Sequence, residues 1–146
     1  LVSSRATFKI VAAGGQLWNR ANRFEAFHNY PAEQKALADW LLEQKIAGVL
    51  FLSGDRHFGG LWRVDRPGTY PLHEFTSSPL TAGVVVSPSA EERENPDLVT
   101  GTLVTQRNFG MVRVSGPRKA RVLTLESYGA DGTLLWQRRI AAEDLR

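Results

Sequence analysis

The sequence predicts an α/β domain in which a strand–helix–strand crossover leads into an antiparallel meander. Three observations carry this. Phe8–Ala13 and Gly48–Ser53 are apolar runs, the second with no polar alternation at all. Between them, residues 32–46 follow a helical period. After residue 100, short alternating segments are separated by Gly116-Pro117-Arg118 and Ala130-Asp131-Gly132. A continuous apolar run after a helix marks a strand buried on both faces, as in parallel sheets. Asp-Gly between alternating apolar residues marks a hairpin.

The elements follow in order. Phe8–Ala13 reads as a strand stopped by Gly14-Gly15. Gln16–Tyr30 is rich in aromatics without a period and is expected to be an irregular loop with at most a helical turn. Pro31 suits a first helical position, where its missing N–H costs nothing. Leu37, Trp40 and Leu41 are expected on one face of that helix, with Gly48 as its left-handed stop. Val49–Leu52 is then the central strand, parallel to the first because the crossover demands it. Leu61–Val64 and Tyr70–Thr76 flank a turn at Arg66-Pro67-Gly68. Ser87–Asp97 is polar and is expected to be an exposed loop. Strands are expected at Thr102–Gln106, Gly110–Ser115, Arg121–Ser127 and Thr133–Ile140.

Composition narrows the function classes. At 146 residues and 42% hydrophobic, the chain suits one domain of ordinary apolar content, 1–146, with no linker that would divide it. The absence of cysteine excludes disulfides, a thiolate nucleophile and Cys-ligated metal. Its longest apolar run is far below the ~20 residues of a membrane span, so no transmembrane segment is expected. No basic stretch followed by an apolar core opens the chain at Leu1. The net charge of +3 is scattered, apart from a group at Arg113, Arg118, Lys119 and Arg121 and a pair at Arg138 and Arg139. These read as solvated positions with a weak attraction for anions, and they give no specific nucleic-acid signal.

The chemically informative stretch is Leu52-Ser53-Gly54-Asp55-Arg56-His57. A buried strand ends, a glycine lets the chain turn, and a carboxylate and an imidazole follow one residue apart. Ligands of open α/β sheets bind beyond the carboxyl ends of strands. Asp55 offers a hard anionic oxygen, His57 a neutral nitrogen and Arg56 a charge suited to a phosphoryl oxygen. The competing reading is a structural turn, with Asp55 bonded to turn amides and His57 paired to it. Other motifs are weaker. There is no P-loop to accompany a Walker-type acidic strand end, no third glycine after Gly14-Gly15 for a dinucleotide fingerprint, and no nucleophile elbow around Thr76-Ser77-Ser78. His28 and His73 read as structural, with Glu74 on the opposite strand face from His73.

Several phrases together resemble one family. They are Phe8-Lys-Ile-Val with Gly14-Gly-Gln16, Tyr30-Pro-Ala-Glu33, Gly48-Val-Leu-Phe-Leu-Ser-Gly-Asp-Arg-His57, Phe75-Thr-Ser-Ser-Pro-Leu-Thr81, and Asn108-Phe-Gly110 leading to Val114-Ser-Gly116. The sequence is similar to the C-terminal part of alkaline phosphatase D-like (PhoD-like) metallophosphatases. The resemblance implies the later half of a four-layer αββα sandwich that hydrolyses phosphate esters, mono- or diesters, with a two-metal site. It implies Asp55 as a metal ligand, His57 as a second ligand or phosphate contact, and Arg56 as a substrate contact or a surface residue. Thr76, Ser77 and Ser78 would form a structural loop near the site. The implied cofactor is a divalent metal pair, calcium with iron, or manganese or zinc. The implied location is periplasmic or extracellular.

The family's early acidic and Asn-bearing ligand motifs are missing here, since no D-x-x-D, G-D-x-x-D or G-N-H occurs. The expectation is therefore a partial site, completed by a missing N-terminal half of the same domain, with the chain alone inactive as a phosphatase. The rival expectation is a non-enzymatic binding or structural module whose working surface is the C-terminal meander. A third is phosphate-ester chemistry without metal, using Arg56 and His57 for anion and general-acid roles.

Overall fold

The computed structural model describes residues 1–146. Seven strands form two sheets. The first sheet contains β1 (Lys9–Ala12), β2 (Val49–Ser53), β3 (Gly60–Val64) and β4 (Leu72–Thr76), in the order β1-β2-β4-β3. The second is the meander β5 (Asn108–Ser115), β6 (Val122–Gly129) and β7 (Leu134–Ala141). β1, β2 and β4 run parallel, and β3 is antiparallel to β4. The parallel pairing of β1 with β2 is the crossover expected from the apolar runs.

The helix of the crossover, α1, spans Pro31–Glu43, with Pro31 at its first turn. It stops before residue 46 because Lys45 takes the left-handed conformation, φ 51°, and Ile46 N–H bonds back to Leu41 C=O at 2.9 Å. Gly48 is not the stop. It sits at φ 76° between sheet and tail, and a Cβ there would stand 2.0 Å from the Thr7 carbonyl oxygen. Its amide bonds Leu145 C=O at 2.8 Å and its carbonyl accepts from Lys9 N–H at 2.7 Å. Only glycine joins those three segments. Leu41 is buried, whereas Trp40 rides at the rim of the helix face and remains 36% exposed.

β2 and β4 are sandwiched. On one face Phe51 meets Trp18 edge-on with ring centroids 5.3 Å apart, beneath α1 and the Gln16–Trp18 segment. On the other, Phe75 meets Trp136 of β7 at 5.1 Å. Leu50, Leu72, Leu123, Leu125 and Leu145 complete a core that joins both sheets. Each such side chain contributes about 1.5–3 kcal/mol on burial. The result is a helix layer, a mixed sheet and an antiparallel sheet, stacked in that order.

Two further expectations are corrected. Thr102–Gln106 is not a strand, and only an isolated Val104–Gly59 bridge forms there. The Thr102 hydroxyl bonds Val99 C=O at 2.7 Å and accepts from Leu61 N–H at 3.1 Å, so a side chain takes the place of ladder bonds. Ser87–Asp97 is not simply an exposed loop. Ser89 caps a short helix, α2 (Ala90–Arg93), and Glu92 and Asn95 are buried. The Asp-Gly hairpin forms between β6 and β7, with Gly132 at φ 86° and Asp131 accepting from Thr133 N–H at 3.0 Å.

Candidate functional site

Parallel strands β1, β2 and β4 end at one edge of the sheet, at Ala12, Ser53 and Thr76. Gly54 N–H bonds Gly14 C=O at 3.1 Å and ties two of these ends together. Directly beyond β2 the chain turns through Gly54-Asp55-Arg56-His57. Asp55 and His57 both adopt left-handed backbone, φ 69° and φ 58°. Asp and His enter this region more readily than most residues, but each instance still costs on the order of 1 kcal/mol. The tight turn holds both residues at the strand edge. Asp55 is exposed and His57 half-buried, and neither enters any ion pair of the chain.

The turn is held from below by residues far away in sequence. His57 N–H donates to Ser78 Oγ at 3.0 Å, and His57 C=O accepts from Val85 N–H at 2.9 Å. Asn108, the first residue of β5, fixes the Ser78 segment in turn. Its Nδ2 donates to Ser78 C=O at 2.9 Å, and its N–H donates to Pro79 C=O at 2.9 Å. Gly110 passes so close to Phe75 that a Cβ would stand 2.7 Å from the ring. The Gly-Asp-Arg-His, Thr-Ser-Ser-Pro and Asn-Phe-Gly phrases of the sequence therefore meet in one place.

A buried polar network underlies the same edge, and sequence reasoning missed it. Glu74 accepts from Leu17 N–H and Trp18 N–H, both at 2.8 Å, which folds the Gln16–Asn19 segment over the strand ends. Burial pushes the Glu74 carboxyl up, against the downward pull of those amides. Gln16 Nε2 donates to Thr76 Oγ1 at 3.0 Å, and Thr76 Oγ1 pairs with Ser53 Oγ at 2.8 Å. Asn19 Nδ2 donates both to Gln16 Oε1 at 2.9 Å and to Glu92 Oε2 at 2.8 Å. Glu92 in turn pairs with Arg56.

The Arg56 guanidinium is thus engaged from three sides, lying 5.4 Å from the Phe24 ring centroid and 5.1 Å from that of Phe58. The structure brings Asp55 and His57 to the strand edge but turns Arg56 toward Glu92. His73 and His28 lie elsewhere, His73 buried within β4 and His28 in a 3-10 turn at Phe27–Asn29.

The donor chemistry of the edge suits a hard or borderline divalent cation, with one carboxylate oxygen and one imidazole nitrogen free of other partners. No group of three or more His, Asp or Glu side chains converges anywhere in the chain. Asp55 and His57 are two donors, fewer than a protein-only metal site uses.

No protein-family model and no curated protein matches the sequence. Among solved structures, one described as the structure of PhoD is similar to it, with a TM-score of 0.59 and 17% identity. The chain has a PhoD-like fold. That similarity extends over 94% of this chain and 32% of the PhoD chain, so the present sequence spans about a third of its length.

Proposed function

We propose that this chain is the later part of a PhoD-like metallophosphoesterase domain that hydrolyses phosphate esters. In this reading Asp55 and His57 hold a divalent metal pair jointly with ligands supplied from outside these residues. The observation that carries it is the pair of left-handed, partner-free ligand residues beyond the parallel strand ends of a PhoD-like fold. Strained backbone at a strand edge is characteristic of sites whose geometry is fixed for chemistry. The ions, when bound, supply Lewis-acid stabilisation of phosphoryl oxygens and an activated water. The chain's own residues orient that centre. Ser78 and Asn108 fix the His57 peptide, and Glu74 and Gln16 shape the floor beneath it. Arg56 reaches a phosphoryl oxygen only by giving up Glu92, so its first role is to position the turn. A periplasmic or extracellular setting belongs to the same proposal.

The test is calorimetric titration of the chain with manganese, zinc and calcium, beside hydrolysis of a chromogenic phosphomonoester. The expected result is weak metal binding, lowered at least about tenfold by Asp55→Asn, with little or no turnover by the chain alone. Metal affinity and thermal stability indifferent to Asp55→Asn would overturn the metal role and favour the binding-module reading. Robust turnover abolished by Asp55→Ala would overturn the partial-site reading.

A further inference from the structure

A second cleft lies away from the edge described above, where the segment entering β1 meets the β5–β6 hairpin. Its volume is about 430 Å³, and Arg5, Thr7, Phe8, Val114, Arg118 and Arg121 line it. Three arginines line one space without a carboxylate among its walls. None of the three takes part in any ion pair of the chain. Arg113, on the neighbouring strand, contrasts with them because Glu126 holds its guanidinium at 2.9 Å. Lys9, at the start of β1, is likewise engaged, donating to the carbonyls of Ala6 and Ala47 at 3.1 Å and 3.0 Å.

The most telling atom is Arg121 Nε, which is buried and has no hydrogen-bond partner. A buried donor without an acceptor is costly, and three like charges around one cleft repel one another. An anion in the cleft relieves the repulsion directly, and it gives Nε an acceptor once the Arg121 side chain turns toward it. The hairpin turn is also shaped to present these groups. Gly116 sits at φ 83°, where a Cβ would stand 2.4 Å from Ala120 C=O, and Ala120 N–H bonds Pro117 C=O at 2.9 Å. That closed turn carries Arg118 and delivers Arg121 to the first residue before β6.

We infer that this cleft is an anion site that takes the phosphoryl group of a small organic phosphate, with Phe8 and Val114 covering its apolar part. Planar guanidinium forks match phosphoryl oxygens better than ammonium groups do. The site is independent of the metal reading, because it lies at the opposite end of β1 and uses none of the same residues.

The test is a titration of the 15N-labelled chain, at low ionic strength and without metal, with inorganic phosphate and with phenyl phosphate. Saturable shifts are expected at Thr7, Arg118 and Arg121 amides with both probes, tighter for phenyl phosphate. Arg121→Gln is expected to weaken binding about tenfold, and Arg139→Gln to leave it unchanged. Arg118→Gln, in an exposed turn, is expected to weaken it severalfold and serves if Arg121→Gln fails to fold. Equal binding of the two probes would reduce the site to one for free phosphate and overturn the apolar wall. Linear, unsaturated shifts, or an equal loss with Arg139→Gln, would show only diffuse charge attraction and overturn the site.

Discussion

Acidification should destabilise this fold through one imidazole. His73 lies in β4, directly opposite Arg63 of β3 and beside Leu50 of β2. Burial, reinforced by the Arg63 charge, lowers its pKa from 6.5 to about 4, against smaller opposing pulls from the Pro71 backbone, Asp65 and Asp144. The folded protein therefore keeps His73 neutral where the unfolded chain takes up a proton. Stability from this site is complete above pH 6.5 and is lost as pH falls through the interval down to about 4. At about 1.4 kcal/mol per pH unit, that interval is worth roughly 3 kcal/mol, a large share of a typical domain's stability. The assay is urea denaturation of the wild type and of His73→Leu at pH 7, 6, 5 and 4. Glu74 and the other carboxylates titrate in both proteins, so the difference between the two profiles isolates His73. The gap should close by about 3 kcal/mol in favour of the variant on going from neutral to acid. Parallel profiles, or an imidazole titrating near 6.5 in the folded protein by NMR, would refute the reasoning.

Two further predictions concern the supports of the candidate site. Arg56→Met should cost about 3–5 kcal/mol in chemical denaturation, because Glu92 is left buried without its cation, while Arg56→Met with Glu92→Met should recover most of that loss. Equal destabilisation by the single and double variants would show the pair to be unimportant. Asn108→Ala removes two donations to backbone carbonyls, at 2.9 and 2.8 Å, and should cost about 2–4 kcal/mol in the same measurement. It should also release the His57 amide to faster hydrogen exchange, and unaltered exchange there would separate Asn108 from the turn.

Much of the fold was legible because its elements announce themselves locally. The unbroken Val49–Leu52 run after a helix reads as a strand covered on both faces, and Pro31 marked where α1 begins. Asp131-Gly132 marked a hairpin closed by local bonds, Gly132 N–H to Gly129 C=O at 2.9 Å and Thr133 N–H to Asp131 at 3.0 Å. The position of Asp55 and His57 beyond a buried strand was legible for the same reason. The supports beneath them were not. Gln16, Asn19, Glu92 and Asn95 are polar residues in aperiodic stretches, and sequence patterning assigns such residues to solvent. They are buried because each meets a partner from a distant segment, Gln16 with Thr76, Asn19 with Glu92 and Asn95 with Asn19, and a buried polar group is tolerated only when so satisfied. Thr102 defeated the strand expectation in the same way, through a hydroxyl that substitutes for a ladder.

The relay from Asn108 through Ser78 to the His57 amide has a consequence for the order of folding. Its two steps join residues separated by 30 and 21 positions, and the Gln16–Thr76 bond beside it spans 60. Closing loops of that length requires entropy to be surrendered before the contacts exist. The Gly-Asp-Arg-His turn therefore gains its final shape only when the meander has docked on the parallel strands. A short peptide carrying the same four residues lacks every one of these ties, and its carboxylate and imidazole wander independently.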